Sequence, residues 1–358
     1  MRNVLMLFIV FGAAIVAAEL LLNRGPDNGT FLLVLTFFTM IVQGCIALAA
    51  VAEVAKGLWL IPVKRDLLSL YPLLFFLALI YPLFAMRMDI YAWMEHPTAW
   101  LNIQFFVIRN FVVLLLVAWM GRLLARAAMA GSSNKNTYGV LYILLFVTSQ
   151  SLVAFDWVMS LEYPWISTLF GGYFFIQAFL LGLLTTSFII LFRTRAGDTG
   201  LTETLRDTAK MMFGFCFLWG GFFFAQYITI WYGNIPEEVD YIFKRVDPAP
   251  FWGLSRAVLA MIFIIPFVSL LSRKIKVFPP GMVIVSTIAA AGIFLEKIVL
   301  ITPVVPVNPI ATAVELVLML ALLVLVYRAR ESYMPQQVMD VGAAGHIAPS
   351  SGELTSSH

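Results

Sequence analysis

The chain has 358 residues, 61% of them hydrophobic and only 12% charged. Soluble domains carry about 25% charge, because polar side chains must cover their surface, so a water-soluble fold is excluded. The net charge of +3 is too small and too scattered for nucleic-acid binding.

A helix needs ~20 mostly apolar residues to cross the hydrocarbon core of a bilayer. Ten such runs lie at 4–22, 31–55, 67–86, 101–120, 138–160, 167–192, 211–232, 250–271, 277–301 and 309–327. They predict an all-α, polytopic integral membrane protein. The first run follows Met-Arg-Asn, as a secretory signal can. Signal cores are usually ~7–15 residues and end at a small-x-small site. This run is longer and closes on Glu19-Leu20-Leu21-Leu22, which reads as a retained helix. The connections are short, charged or rich in Gly and Pro, and none is long enough for a soluble domain. The chain therefore reads as a ten-helix transmembrane domain over 1–334. A tail, 335–358, follows, and its Gly, Ser and Ala content predicts a disordered segment.

Lys and Arg placement sets orientation. With ten spans, the N-terminus, the even-numbered connections and the tail share one side. Sixteen Lys and Arg fall there: Arg2, Lys56, Lys64, Arg65, Arg122, Arg126, Lys135, Arg193, Arg195, Arg206, Lys210, Arg273, Lys274, Lys276, Arg328 and Arg330. Arg24, Arg87, Lys244 and Arg245 fall on the other. The bias predicts both termini in the cytoplasm. Aromatic residues such as Tyr91, Trp93, Trp100, Trp157, Tyr163, Trp165, Trp231, Tyr232 and Trp252 gather on the outer side, as an interfacial belt or a docking surface.

The two cysteines, Cys45 and Cys216, supply no disulfide framework, Cys-x-x-Cys-His haem attachment or iron–sulfur ligand set. Of three histidines, His346 and His358 sit in the tail and His96 in an external loop beside Asp89 and Glu95. That excludes bis-histidine haem inside the membrane.

Ionisable side chains within spans are costly and are functional candidates by default. Arg109 in the fourth span and Asp156 in the fifth are predicted to pair across antiparallel neighbours. Arg256 and Glu296 repeat the arrangement in the eighth and ninth spans, although Lys297 competes for the acid. The four-span spacing suggests two related four-helix bundles, 31–160 and 167–301. Glu315 in the last span has no evident basic partner. Glu53 is expected to pair with Lys56 at the cytoplasmic end, and Glu19 lies near the outer end of the first span. Thr148, Ser149, Gln150 and Ser151 form a polar run beside Asp156. Tyr173, Gln177, Thr185, Thr186, Ser187, Gln226, Tyr227 and Thr229 add polarity deeper in the sixth and seventh spans. Such groups either lock helix packing or line a polar cavity for protons or a quinone head group; hydroxyls often only back-bond to their own helix.

Three long stretches carry a resemblance: 155–171 (FDWVMSLEYPWISTLFG), 100–109 (WLNIQFFVIR) and 224–238 (FAQYITIWYGNIPEE). Together they resemble the ActF subunit of bacterial alternative complex III, a quinol:cytochrome c oxidoreductase of the bacterial inner membrane. That subunit belongs to the NrfD-like, polysulfide reductase membrane-subunit group. The resemblance implies ten helices in two four-helix bundles plus two extra helices. It implies partners: a second NrfD-like, quinol-oxidising subunit, an iron–sulfur subunit, c-type cytochrome subunits and small membrane subunits. Quinone, haem c and iron–sulfur clusters would belong to those partners, with no cofactor bound by this chain. The sister subunit is expected to use a histidine with an acid at its quinol site. Here Asp156 retains the acid, but no span contains a histidine. The resemblance thus implies a structural subunit with a possible proton path through Asp156, Arg109, Thr148, Ser149, Gln150, Ser151, Arg256, Glu296, Glu315 and Glu53. Trp157, Glu162 and Trp165 are candidates to face a partner. The alternative is an independent secondary transporter with a repeat-derived site.

Overall fold

The computed structural model describes residues 2–23, 25, 28–198, 200–247 and 249–336. Most of the tail, with His346 and His358, and Arg24 of the outer charge set lie outside the described residues. The rest is all helical, with no strand among the described residues. In chain order the helices are α1 (Arg2–Leu22), α2 (Thr30–Val54), α3 (Ile61–Leu68), α4 (Tyr71–Ala85), α5 (Ile103–Met129), α6 (Lys135–Leu152), α7 (Leu169–Arg195), α8 (Thr202–Gly233), α9 (Pro236–Val246), α10 (Phe251–Leu259), α11 (Ile265–Leu271), α12 (Pro279–Ile301) and α13 (Pro309–Arg328).

Among the described residues nine helices are long and apolar enough to cross a membrane, or ten when one bent pair is counted as a span. The bent pair is the third predicted run. Its main helix, α4, has 15 residues, about 22 Å at 1.5 Å per residue, which is shorter than the hydrocarbon core. The segment Leu58–Leu68, set at 44° to α4, supplies the remaining length when the pair is counted as one span. Pro72 explains the break. Within a continuous helix its ring would strike the carbonyl of Leu68, where α3 ends.

Side-chain caps mark two starts. Asn102 accepts a hydrogen bond from the Phe105 amide at 2.9 Å ahead of α5. Asn308, followed by Pro309, accepts from the Ile310 and Ala311 amides at 3.0 and 3.2 Å ahead of α13. Asn234, left-handed at φ 48°, ends α8. Two spans depart from α-geometry: α6 continues through a π-helical turn, Val153–Val158, and α10 reaches α11 through another, Ala260–Ile264.

α2, α4, α5 and α6 close into one four-helix bundle, and α7, α8, the α10–α11 span and α12 into a second. α1 and α13 pack on each other and against the first bundle, outside both. The bundles meet along α2 and α7. α2 is apolar almost all round and wholly enclosed, as such a helix must be when other helices replace lipid on every side. The approach of these two helices depends on glycine. A Cβ on Gly44 would lie 1.7 Å from the Ala178 carbonyl oxygen, and one on Gly182 would lie 2.5 Å from the Gly44 carbonyl oxygen. Backbones touch there, as small residues permit in membranes.

Ion pairs close the basic end of the molecule. Arg65 forks onto Glu331 at 2.8 Å, and Arg193 and Arg330 reach Asp66 at 3.0 and 2.9 Å. They tie α3 to the ends of α7 and α13.

Candidate functional site

Among the described residues, and apart from the Asp66 bridge at the basic end, three clusters of buried polar side chains stand out. The first runs through the α2–α4–α5–α6 bundle. Asp156 sits on the π-helical turn of the fifth span and is fully buried. One carboxylate oxygen accepts from Arg109 Nη2 and Nε at 2.8 and 3.0 Å and from Asn110 Nδ2 at 2.7 Å. The other accepts from Trp100 Nε1 at 3.3 Å. Arg109 lies over the rings of Trp100 and Phe105, 4.0 and 4.5 Å from their centroids. Asn110 in turn accepts from Trp157 Nε1 at 3.0 Å. The predicted Arg109–Asp156 pair is therefore formed, within an apolar and aromatic shell.

Deeper in the same bundle, Gln43 of α2 donates to Ser149 Oγ at 3.0 Å and accepts from Gln150 Nε2 at 2.9 Å. Its carbonyl accepts from Tyr142 at 3.2 Å. Thr36 and Thr39 precede Gln43 on one face of α2. Their hydroxyls and the Gln150 carbonyl oxygen are buried without a hydrogen-bond partner. At the basic end Glu53 pairs with Lys64 at 2.8 Å and Lys135 at 3.2 Å. The expected Glu53–Lys56 pair is not formed, because Lys56 adopts φ 53° in the turn that ends α2 and is exposed.

Not all of the 148–151 run contributes. Consecutive helical residues point about 100° apart, so a polar run in sequence becomes a ring around the helix. Thr148 is exposed and back-bonds to the Leu144 carbonyl at 3.0 Å, while Ser149 and Gln150 face inward. Ser151 lies against Gly171 of α7.

The second cluster occupies the other bundle. Glu296 accepts from the Tyr173 hydroxyl, from Trp219 Nε1 at 3.3 Å, from Gln177 Nε2 at 2.6 Å and from Lys297 Nζ at 3.1 Å. Lys297 also donates to Gln177 Oε1 at 2.6 Å and lies 3.8 Å from the Phe174 ring centroid. This corrects the predicted Arg256–Glu296 pair. Arg256 is exposed, stacks 3.8 Å over Trp252 and donates to that residue's carbonyl. Val258, two residues on and thus nearly opposite on the helix, faces the interior. A largely apolar cavity of about 120 Å³ adjoins this cluster, lined by Tyr173, Gln226, Tyr241, Arg245 and Glu296 among others.

The rim beside it, at the end opposite the basic one, is held by α9. Arg245 pairs with Glu162 at 3.0 Å and lies over the Tyr241 ring at 3.8 Å, while Tyr241 stacks on Trp165 with centroids 3.6 Å apart. Burial pushes the Tyr241 phenol up to about 12, so the stacked ring is neutral at physiological pH. The three candidates for a partner-facing surface are thus engaged within the chain. Trp157 is fully buried, Trp165 is covered by Tyr241, and Glu162 is ion-paired. Of the outer aromatic set, Trp100, Tyr163, Trp231, Tyr232 and Trp252 are exposed, whereas Tyr91 and Trp93 are core.

The third cluster joins α1 to α13. Asn23 donates to Glu19 at 2.8 Å and to Glu315 at 3.4 Å, and Arg87 reaches Glu19 at 3.3 Å. The second Glu315 oxygen is buried without a partner.

The chain matches no protein-family model and no curated protein. Its chemistry is therefore read from its own side chains. Carboxyls, amides, hydroxyls and ammonium groups held at fixed distances in a low-dielectric interior are the components of intramembrane proton relays and of helix locks. Several of the groups that complete the clusters (Asn110, Gln43, Thr36, Thr39 and Trp219) carry no charge, so a search for ionisable residues passes over them. The spacing of Thr36, Thr39 and Gln43 on one face of an otherwise apolar run was the available signal.

Proposed function

We propose that this multi-pass membrane protein is a subunit of a quinol-oxidising respiratory complex, of the ActF type in alternative complex III. It carries no redox cofactor of its own in this reading. It braces the quinol-oxidising NrfD-like subunit and offers a path for protons. Electrons travel through the partners: the iron–sulfur subunit, the c-type cytochrome subunits and the quinone bound by the sister subunit. The basic end faces the cytoplasm.

The observation that supports a proton path is the alignment of polar groups within the first bundle. Asp156 with Arg109 and Asn110 lies toward one end, Gln150 with Gln43 and Ser149 in the middle, and Glu53 with Lys64 and Lys135 at the basic end. Six residues of helix separate Gln150 from Asp156, about 9 Å, a distance that water rather than a side chain bridges in this reading. The free hydrogen-bonding capacity of Thr36, Thr39 and Gln150 suits such water. Glu296 with Lys297 offers a second acid–base pair in the other bundle. Thr148 and Arg256 have no part in either.

The test is Asp156→Asn in the intact complex reconstituted in vesicles, reading protons released per quinol oxidised. A lowered ratio per assembled complex is expected, with Arg109→Leu added to Asp156→Asn where the unpaired Arg109 lowers the yield of complex. An unchanged ratio removes Asp156 from the path. Recovery of the chain as a free monomer, with no haem-containing subunits, would overturn the assignment to a complex and favour a secondary transporter.

A further inference from the structure

A second cavity, of about 220 Å³, lies at the basic end between α7 and α13. Its walls are apolar, formed by Phe188, Ile189 and Phe192 of α7 and by Leu323, Val324 and Tyr327 of α13. Three guanidiniums, Arg193, Arg328 and Arg330, also line it. Arg193 stands in the last turn of α7 and Arg328 is the last residue of α13, so the cations mark the level at which two spans leave the hydrocarbon.

The charge there is unbalanced. Arg193 is paired with Asp66 and Asp198, and Arg330 with Asp66 and, at 3.7 Å, with Glu331. Arg330 also lies 4.1 Å over the Tyr327 ring. Arg328 is exposed and has no acidic partner among the described residues. Arg65 shares Glu331, so four guanidiniums (Arg65, Arg193, Arg328 and Arg330) face three carboxylates (Asp66, Asp198 and Glu331), which leaves one positive charge beside an apolar cleft. Phe192, in the cleft wall, is 47% exposed, so the cleft is open to the surrounding acyl chains.

We propose that this cleft is a binding site for an anionic phospholipid of the basic-side leaflet. One acyl chain lies between α7 and α13, and the phosphate is held by Arg328, with Arg193 and Arg330 flanking it. Basic pockets between transmembrane helices suit anionic head groups because the guanidinium fork matches phosphate oxygens and the apolar walls match the chain. A zwitterionic lipid would fill the cleft equally well but would carry an ammonium toward a site already positive. Headgroup charge therefore sets the preference, and the cleft volume sets the requirement for a chain. The bound lipid would brace α13 against α7 beside the Arg193–Asp66–Arg330 bridge.

The full chain, purified in mild detergent, would be titrated with phosphatidylglycerol and with phosphatidylcholine of identical acyl chains, and retained lipid counted by native mass spectrometry. Phosphatidylglycerol is expected to be retained in preference. Arg328→Gln, a change at an exposed position, should cut that preference about fivefold, the effect of one basic residue at a membrane surface. Arg273→Gln removes an equal charge from an exposed loop at the same end and should leave the preference intact. Val324→Trp, which fills the cleft, should lower retention of both lipids. Millimolar inorganic phosphate should not displace the lipid. Equal retention of the two lipids by the wild type, a preference that survives Arg328→Gln, equal loss in Arg273→Gln, or displacement by phosphate would each overturn the proposal.

Discussion

At Arg109 and Asp156 the energetics turn on what remains when one partner is removed. The side chains are 8% and 1% exposed, so water screens the pair weakly. Deleting one member of a buried pair typically costs about 3–5 kcal/mol, because the other charge is left uncompensated, whereas removing both costs far less. Arg109→Leu is expected to lower thermal stability in detergent strongly, and Arg109→Leu with Asp156→Asn to recover more than half of the loss. Additive losses in that cycle would show that the residues do not interact. Arg87 is in a similar position, as the cation bonded to the Glu19–Asn23–Glu315 cluster. Arg87→Gln should destabilise, and Glu315→Gln in the same background should restore stability, read again as the unfolding midpoint. Glu19 and Glu315, two carboxyls bonded to the same Asn23 amide, repel once the Arg87 cation is gone; a second substitution that lowers the midpoint further would disprove this repulsion. The positions of the charged residues were legible from their place in apolar runs. Their partners were less so: Glu296 takes Lys297, Tyr173 and Gln177, and leaves Arg256 to Trp252. Which neighbour wins depends on the rotation of α10 about its own axis, and that is set by packing along the whole helix.

Helices α2 and α7 cross at Gly44 and Gly182 with their backbones in contact. Gly44→Ala must separate them, because the added carbon meets a main-chain carbonyl that cannot swing aside. Overpacking of this kind costs about 1–3 kcal/mol, occasionally more. The expected outcome is a clear fall in thermal stability and loosening between the bundles, detectable as faster proteolysis of the loops. Gly221→Ala, where no atom lies within 4 Å, should be neutral or mildly stabilising and serves as the control. Equal effects at the two positions would mean that helix propensity, not contact, decides. From the sequence, these two glycines look no different from the others in spans, since one-dimensional order does not say which helix passes in front. The break at Pro72 and the Asn caps at Asn102 and Asn308 are local and were there to be read. The π-helical turn Val153–Val158 that presents Asp156 is not signalled by any residue type in the sequence.

Across the whole molecule, the alternating direction of the spans places Lys64, Arg65, Arg193 and Arg330 at one end and Arg87, Arg109 and Arg245 at the other. The inter-helix bridges at the basic end agree with ten crossings. Labelling fixes which end faces the cytoplasm. Cys45 and Cys216 are fully buried and leave little background. Glu237→Cys is expected to react with a membrane-impermeant maleimide in intact spheroplasts, and Lys274→Cys only after lysis. The reverse pattern would invert the proposed orientation.

Composition, run length and charge bias determined by themselves that this chain is an all-helical protein of the membrane, roughly where it crosses, and which of its residues are costly to bury. Those properties follow from the solvent: lipid accepts apolar helices and little else, so their signal is local and additive. Only the tertiary structure decided which polar groups meet. It turned Thr148 and Arg256 outward, drew Gln43 and Asn110 in, and enclosed Trp157 and Trp165 within the chain. Helix rotation and helix neighbours are collective results of packing, and a shift of one residue turns a side chain by about 100°.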